Sequence, residues 1–213
     1  MYTVYPRALL VLTALVMAAG TAQAVDTLTL SKKAALFEYD MDSRFVYAGQ
    51  LPPKRKMPTE AYPFVLYNMP DNAYMTGMYL GMLSMQYDTT KDPLVRAKVS
   101  QALEALDLLC TVSGIPGLLA RAAMPVDMPF QDDGAWRLSK DGKHRWRGDV
   151  SSDQMDGVYY GYALAYDLVA NAAEKRVIAK HVADLTDYLL ENDLRIIGFD
   201  GKPTEWGSYY PEY

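Results

Sequence analysis

Apolar residues recur along this chain with helical spacing, and the pattern is laid down twice. Between Thr76 and Tyr87 nearly every position is apolar or small, including Gly-Met-Tyr-Leu-Gly-Met-Leu-Ser-Met. The segment therefore predicts a helix buried on most sides. Asp88 to Pro93 reads as a turn, with Pro93 at a first helical position. From Leu94 to Cys110 the residues Val95, Val99, Ala102, Leu103, Leu106, Leu109 and Cys110 fall on one face. Lys98, Gln101, Glu104 and Asp107 lie largely off it, which predicts a helix with one side in water. Met155 to Val169 is again apolar all round, Asn171 to Glu174 is a turn and helix start, and Lys175 to Leu190 again carries a stripe, Ile178, Val182, Leu185 and Leu189.

The two copies align. Thr76-Gly77-Met-Tyr79-Leu-Gly81 matches Asp156-Gly157-Val-Tyr159-Tyr-Gly161, and Val95-Arg-Ala97-Lys98 matches Val177-Ile-Ala179-Lys180. The difference in spacing falls in the turn, where insertions are tolerated. The chain thus repeats an αα-hairpin, a buried helix followed by a half-buried one. Inner helices around an axis with outer helices outside satisfy both burial demands. A glycine inside a helix costs about 1 kcal/mol against alanine, so the matched glycines at 77, 81, 157 and 161 predict close approach of the inner helices.

Upstream, residues 25–70 form a lead-in segment of weak pattern. Ser31 to Tyr39 predicts a short helix, Leu51 to Pro58 an extended Pro/Lys/Arg-rich connector, and Tyr62 to Met69 no definite element. Residues 1–24 predict a secretory signal peptide: Arg7 is the positive region, Ala8 to Ala19 the apolar core, and Ala22-Gln23-Ala24 the cleavage site. The apolar run is shorter than the ~20 residues of a membrane span. A mature protein starting near Val25, periplasmic or secreted and without a membrane anchor, is the expectation.

The net charge of -5 supplies no basic surplus for phosphates, so nucleic acid is not an expected partner. The 17 tyrosines and 3 tryptophans against 5 phenylalanines favour side chains that pack with one end and hydrogen-bond with the other. Such residues suit both wet interfaces and concave sugar-binding surfaces. Cys110 is the only cysteine and sits in an apolar stripe, which predicts a buried inert thiol. His144 and His181 lack ligand-like spacing. Asp149-x-Ser151-x-Asp153 fails the calcium-loop template at Gln154 and Tyr160. No metal or cofactor is expected.

The repeated hairpin, with Gly148-Asp149-Val-Ser151-Ser152-Asp153-Gln-Met-Asp156-Gly157 leading into its second inner helix, resembles the (α/α)6 toroid of six-hairpin glycosidase-like exported bacterial proteins. Pro116-Gly117-Leu-Leu-Ala-Arg121 and Gly201-Lys-Pro203-Thr204-Glu205-Trp206-Gly207 are similar to the pieces around it. The likeness covers roughly residues 71–210, and no definitive catalytic motif comes with it. It implies an all-α fold of αα-hairpins and a carbohydrate-active role. Two hairpins occupy 71–213 where a closed ring needs six, so an incomplete toroid, a fragment or an open arc, is expected.

Hairpin geometry brings the 111–137, 146–156 and 194–210 segments to one pole. That pole holds Asp149, Asp153, Asp156, Arg121, Trp136, Trp146, Glu205 and Trp206. Paired carboxylates suit glycoside hydrolysis, one protonating the leaving oxygen and the other activating water or attacking carbon. Asp149 and Asp153 are the candidate catalytic acids, with N-capping by Ser151, Ser152 or Asp153 the plain structural use of this stretch. Arg121, Trp136, Trp146, Asp156, Tyr159, Tyr160, Glu205 and Trp206 are candidate substrate contacts. A glycoside hydrolase on an oligo- or polysaccharide is expected, with a non-catalytic glycan-binding or structural protein, or a lyase using Tyr159, Tyr160 or His144, as alternatives.

Overall fold

The computed structural model describes residues 28–67 and 70–210. The leader expected at 1–24, Met69 and the closing Pro211-Glu212-Tyr213 lie outside the described residues. The chain divides into two units, residues 1–39 and 40–213. The first contributes α1 (Leu30–Asp40), which buries none of its side chains.

The second unit holds a short π-helical turn, Met41–Phe45, and four long helices. These are α2 (Asn72–Thr90), α3 (Pro93–Thr111), α4 (Ser152–Leu168) and α5 (Ala172–Glu191). They form the two hairpins that the periodicity predicts. Local chemistry marks the starts of the outer helices. Asp92 accepts from the Leu94 amide at 2.8 Å, with Pro93 in the first turn. Asn171 and Glu174 form a reciprocal capping box at the start of α5. Glu174 also binds Arg96 at 2.6 Å, tying the outer helices together.

The inner helices meet backbone to backbone. A Cβ on Gly77 would overlap the Gly157 carbonyl, one on Gly161 would overlap the Gly77 carbonyl, and one on Gly157 would lie 2.6 Å from Tyr74 Cα. Tyr74 meets Gly157, Gly77 meets Gly161, and Gly81 meets Leu164, so α2 and α4 run parallel. Leu80, Leu83, Val99, Leu106, Val158 and Leu185 fill the core beside this contact, each at most 1% exposed. The lead-in also enters it. Leu51 is buried and its amide donates to the buried Thr76 hydroxyl at 2.9 Å, while Gln50 bonds Ala123 on both its amide nitrogen and oxygen.

The all-α expectation needs correction. The fold is helix-rich but carries two small antiparallel sheets. One has β1 (Ala122–Pro125), β2 (Trp136–Leu138) and β3 (His144–Arg147) in the order β1-β3-β2, and the other pairs β4 (Arg195–Ile197) with β5 (Pro203–Ser208). Strands of three to six residues are too short to print alternation on a sequence. The described residues form two hairpins and close no ring.

A methyl group placed in the inner-helix contact should be costly. Gly157→Ala is expected to lose at least about 2 kcal/mol of unfolding free energy. Gly148→Ala, whose new Cβ meets nothing nearer than 3.6 Å, should be tolerated. Urea denaturation of both variants checks the contrast.

Candidate functional site at the pole of the inner helices

Because α2 and α4 run parallel, both begin at the same pole. Arg121 joins them. Its Nη2 donates to Asp71 Oδ1 at 2.8 Å, its Nη1 to the Asp149 carbonyl at 2.7 Å, and its Nε to the Pro70 carbonyl at 3.1 Å. The fully buried Gln154 completes the joint, donating to Asp71 Oδ1 at 3.0 Å and accepting from the Tyr74 amide at 3.1 Å. Asp71 thus spends its carboxylate on Arg121 and Gln154 instead of capping α2. The substrate contact expected of Arg121 meets a guanidinium already bonded to three protein oxygens.

Asp149 sits in the left-handed region with φ 54°. Asp tolerates this conformation better than most side chains, and Arg121 fixes it by holding the carbonyl. Its side chain is exposed, and no described residue hydrogen-bonds its carboxylate. β5 crosses the start of α4, with the Thr204 hydroxyl donating to the Val150 carbonyl at 2.6 Å. Neighbouring side chains on a strand point to opposite faces, so Glu205 and Trp206 diverge. Two open clefts result. One, of about 440 Å³, includes Asp133, Arg137, Arg147, Asp149, Phe199 and Glu205 in its lining. The other, of about 470 Å³, is lined by Arg121, Ser151, Ser152, Asp153, Trp206 and Ser208. Asp149 and Asp153 therefore face different clefts, and Asp133, Asp200 and Glu205 are the acids that share one with Asp149.

The three tryptophans are not equivalent. Trp146 is buried in the main core, edge-on to Phe199 at 6.3 Å. Trp136 is buried in a satellite cluster with Ala122, Met124 and Phe130. They sit on opposite faces of the three-stranded sheet, and both are buried, so neither presents a ring face to a ligand. Trp206 is 59% exposed. Asp156 anchors the end of the chain, since the Tyr209 hydroxyl lies 2.7 Å from the Ser152 carbonyl and 2.8 Å from Asp156 Oδ1. Burial first, and then Asp156, push the Tyr209 hydroxyl well above its usual pKa. Tyr159 and Tyr160 lie farther along α4 and line neither cleft. The Tyr159 hydroxyl bonds Thr186 at 3.0 Å and is raised by burial, which suits a packing role better than that of a base. Tyr160 packs on Gly81.

Two features escape a reading of the sequence. Ser151 takes the N-cap position of α4, yet its side chain caps nothing, because the Gln154 amide goes to the Ser151 carbonyl at 3.1 Å. Its Oγ is buried and has no partner among the described residues, a state that costs about 1–3 kcal/mol. The second is a chain between the helices that runs from the exposed Asp107 into the core. His181 Nε2 lies 3.2 Å from Asp107 Oδ1, His181 Nδ1 lies 2.8 Å from the Tyr162 hydroxyl, and that hydroxyl lies 3.8 Å from Cys110 Sγ. The signal for His181 was its spacing, between Ile178 and Leu185 on the apolar stripe of α5. Burial raises the Cys110 thiol to about 12, in keeping with an inert core residue.

Comparison with models of known protein families, with curated proteins and with solved structures yields no match. The reading of the site therefore rests on its geometry.

Arg121→Met should lose about 2–3 kcal/mol of stability, because Asp71 and two carbonyls lose a charged donor; chemical denaturation measures it. Burial holds the His181 pKa below its ordinary value, partly offset by Asp107. Its folded pKa is thus depressed, so the stability it contributes is present above about pH 6.5 and is lost as pH falls through the folded pKa. Melting temperatures from pH 7.5 to 5 should fall less steeply for His181→Gln than for the parent.

Proposed function

We propose that this is an exported carbohydrate-active protein that hydrolyses a glycosidic bond with carboxylates of the pole. The observation that carries the reading is the exposed Trp206 beside Asp153, with Asp149 and Glu205 across β5. Aromatic faces suit the apolar faces of sugar rings, and carboxylates on either side of a glycosidic oxygen suit acid–base cleavage. An oligosaccharide laid over the pole would meet Trp206 and Asp153 on one side of the strand and Asp149 on the other. Export is proposed from the pattern of residues 1–24.

A second reading, a glycan-binding protein without turnover, is favoured by one observation. Asp149 and Asp153 line separate clefts, whereas hydrolysis needs two acids on one bond.

Asparagine keeps the shape of aspartate and tolerates the left-handed backbone at position 149, so Asp149→Asn and Asp153→Asn separate chemistry from folding. If either acid transfers a proton, its asparagine variant should lose about 10²–10⁴-fold in turnover of oligosaccharides with its melting temperature little changed. Full turnover in both variants would remove these acids from the chemistry. Glycan retention without turnover by the parent would select the binding reading.

A further inference from the structure

We infer that the cleft beside Trp206 is a subsite for a neutral pyranose, stacked on Trp206 and hydrogen-bonded by Ser151, Ser152 and Asp153. The inference rests on the carbohydrate reading and goes beyond it by naming the cleft, the contacts and the charge class of the sugar.

The cleft combines an apolar platform with a short polar wall. Trp206 is exposed on β5 and leaves its ring to solvent. Opposite it lies the first turn of α4, seventeen residues long, whose N-terminus carries the positive end of a helix dipole. Ser151 lines the cleft, is 4% exposed, and keeps an Oγ without a partner among the described residues. A serine hydroxyl both donates and accepts. A sugar hydroxyl, which does the same, is a fitting partner for an N-cap oxygen that caps nothing. Ser152 and Ser208 add further hydroxyls to the lining.

Charge decides the class of sugar. Arg121 is the one cation among the six lining residues, and Asp71 neutralises it while two carbonyls accept from two more of its N–H groups. A uronate or sulfated ring would find no free cation there and would face the exposed Asp153 carboxylate. A cationic amino sugar would be drawn to the Asp153 carboxylate but opposed by the positive helix terminus at the same place. An uncharged ring avoids both penalties, and its hydroxyls can donate to Asp153.

The test uses the full chain in binding titrations. The probes are neutral oligosaccharides from xylan, mannan and β-glucan, set against oligogalacturonate and alginate oligosaccharides. The parent should bind a neutral glycan more tightly than the acidic ones. Trp206→Ala should weaken that binding at least about tenfold, and Trp206→Phe should restore part of it. Ser151→Ala should weaken it several-fold without lowering the melting temperature, because the lost hydroxyl bonds nothing in the free protein. Preference for the acidic probes overturns the charge class. Parent-like binding by both alanine variants overturns the subsite but leaves the carbohydrate reading standing. No binding of any probe by the parent defeats both.

Discussion

The contact of Gly77 with Gly157 and Gly161 is the constraint on which the arrangement of the pole depends. Only glycine lets two helix backbones approach this closely, because any Cβ would occupy the position of a carbonyl on the neighbouring helix. The contact offers few side-chain atoms to bury. Its value lies in fixing the relative height and direction of α2 and α4. With those fixed, both helices start at one level, and the loops before them are forced together.

Arg121 converts that alignment into a rigid surface. It reaches from the strand-forming loop to Asp71 before α2 and to the carbonyl of Asp149 before α4. A guanidinium of low exposure is costly to desolvate unless its donors are engaged. Here a carboxylate and two carbonyls engage them, and Gln154 shares the same carboxylate. The left-handed backbone of Asp149 is stabilised from outside in the same way. The side chains of Asp149 and Asp153 then emerge from a braced backbone, on opposite sides of the crossing strand β5.

The small sheets decide which aromatic residues remain available. Pairing of β3 with β1 and β2 turns the two tryptophans to opposite faces of the sheet, Trp146 into the helical core and Trp136 into a satellite cluster of the sheet's other face. β5 lies farther out, and its alternation turns Trp206 to solvent beside the start of α4. Residues of one type, expected on one face, thus divide into two that hold the fold and one free to meet a ligand.

The four long helices and the close approach of the inner pair were legible in the sequence, because a period of 3.6 and matched glycines are local signals. The starts of the outer helices were legible too, from Pro93 at a first helical position and the turn at Asn171 to Glu174, whereas the capping expected at Ser151 to Asp153 makes no side-chain bond at the N-cap. The segments expected to meet at the pole do meet, as hairpin connectivity alone requires. The short strands were not legible, being too brief to show a period and stable only as they pair across long loops. Nor were the satisfied state of Arg121, the uncapping Ser151 hydroxyl or the Asp107–His181–Tyr162 chain. Each depends on which polar group from a distant segment arrives within hydrogen-bond range. The separation of Asp149 from Asp153 was likewise a tertiary decision. Four residues apart in sequence, they are placed in different clefts by a strand some fifty residues further along the chain.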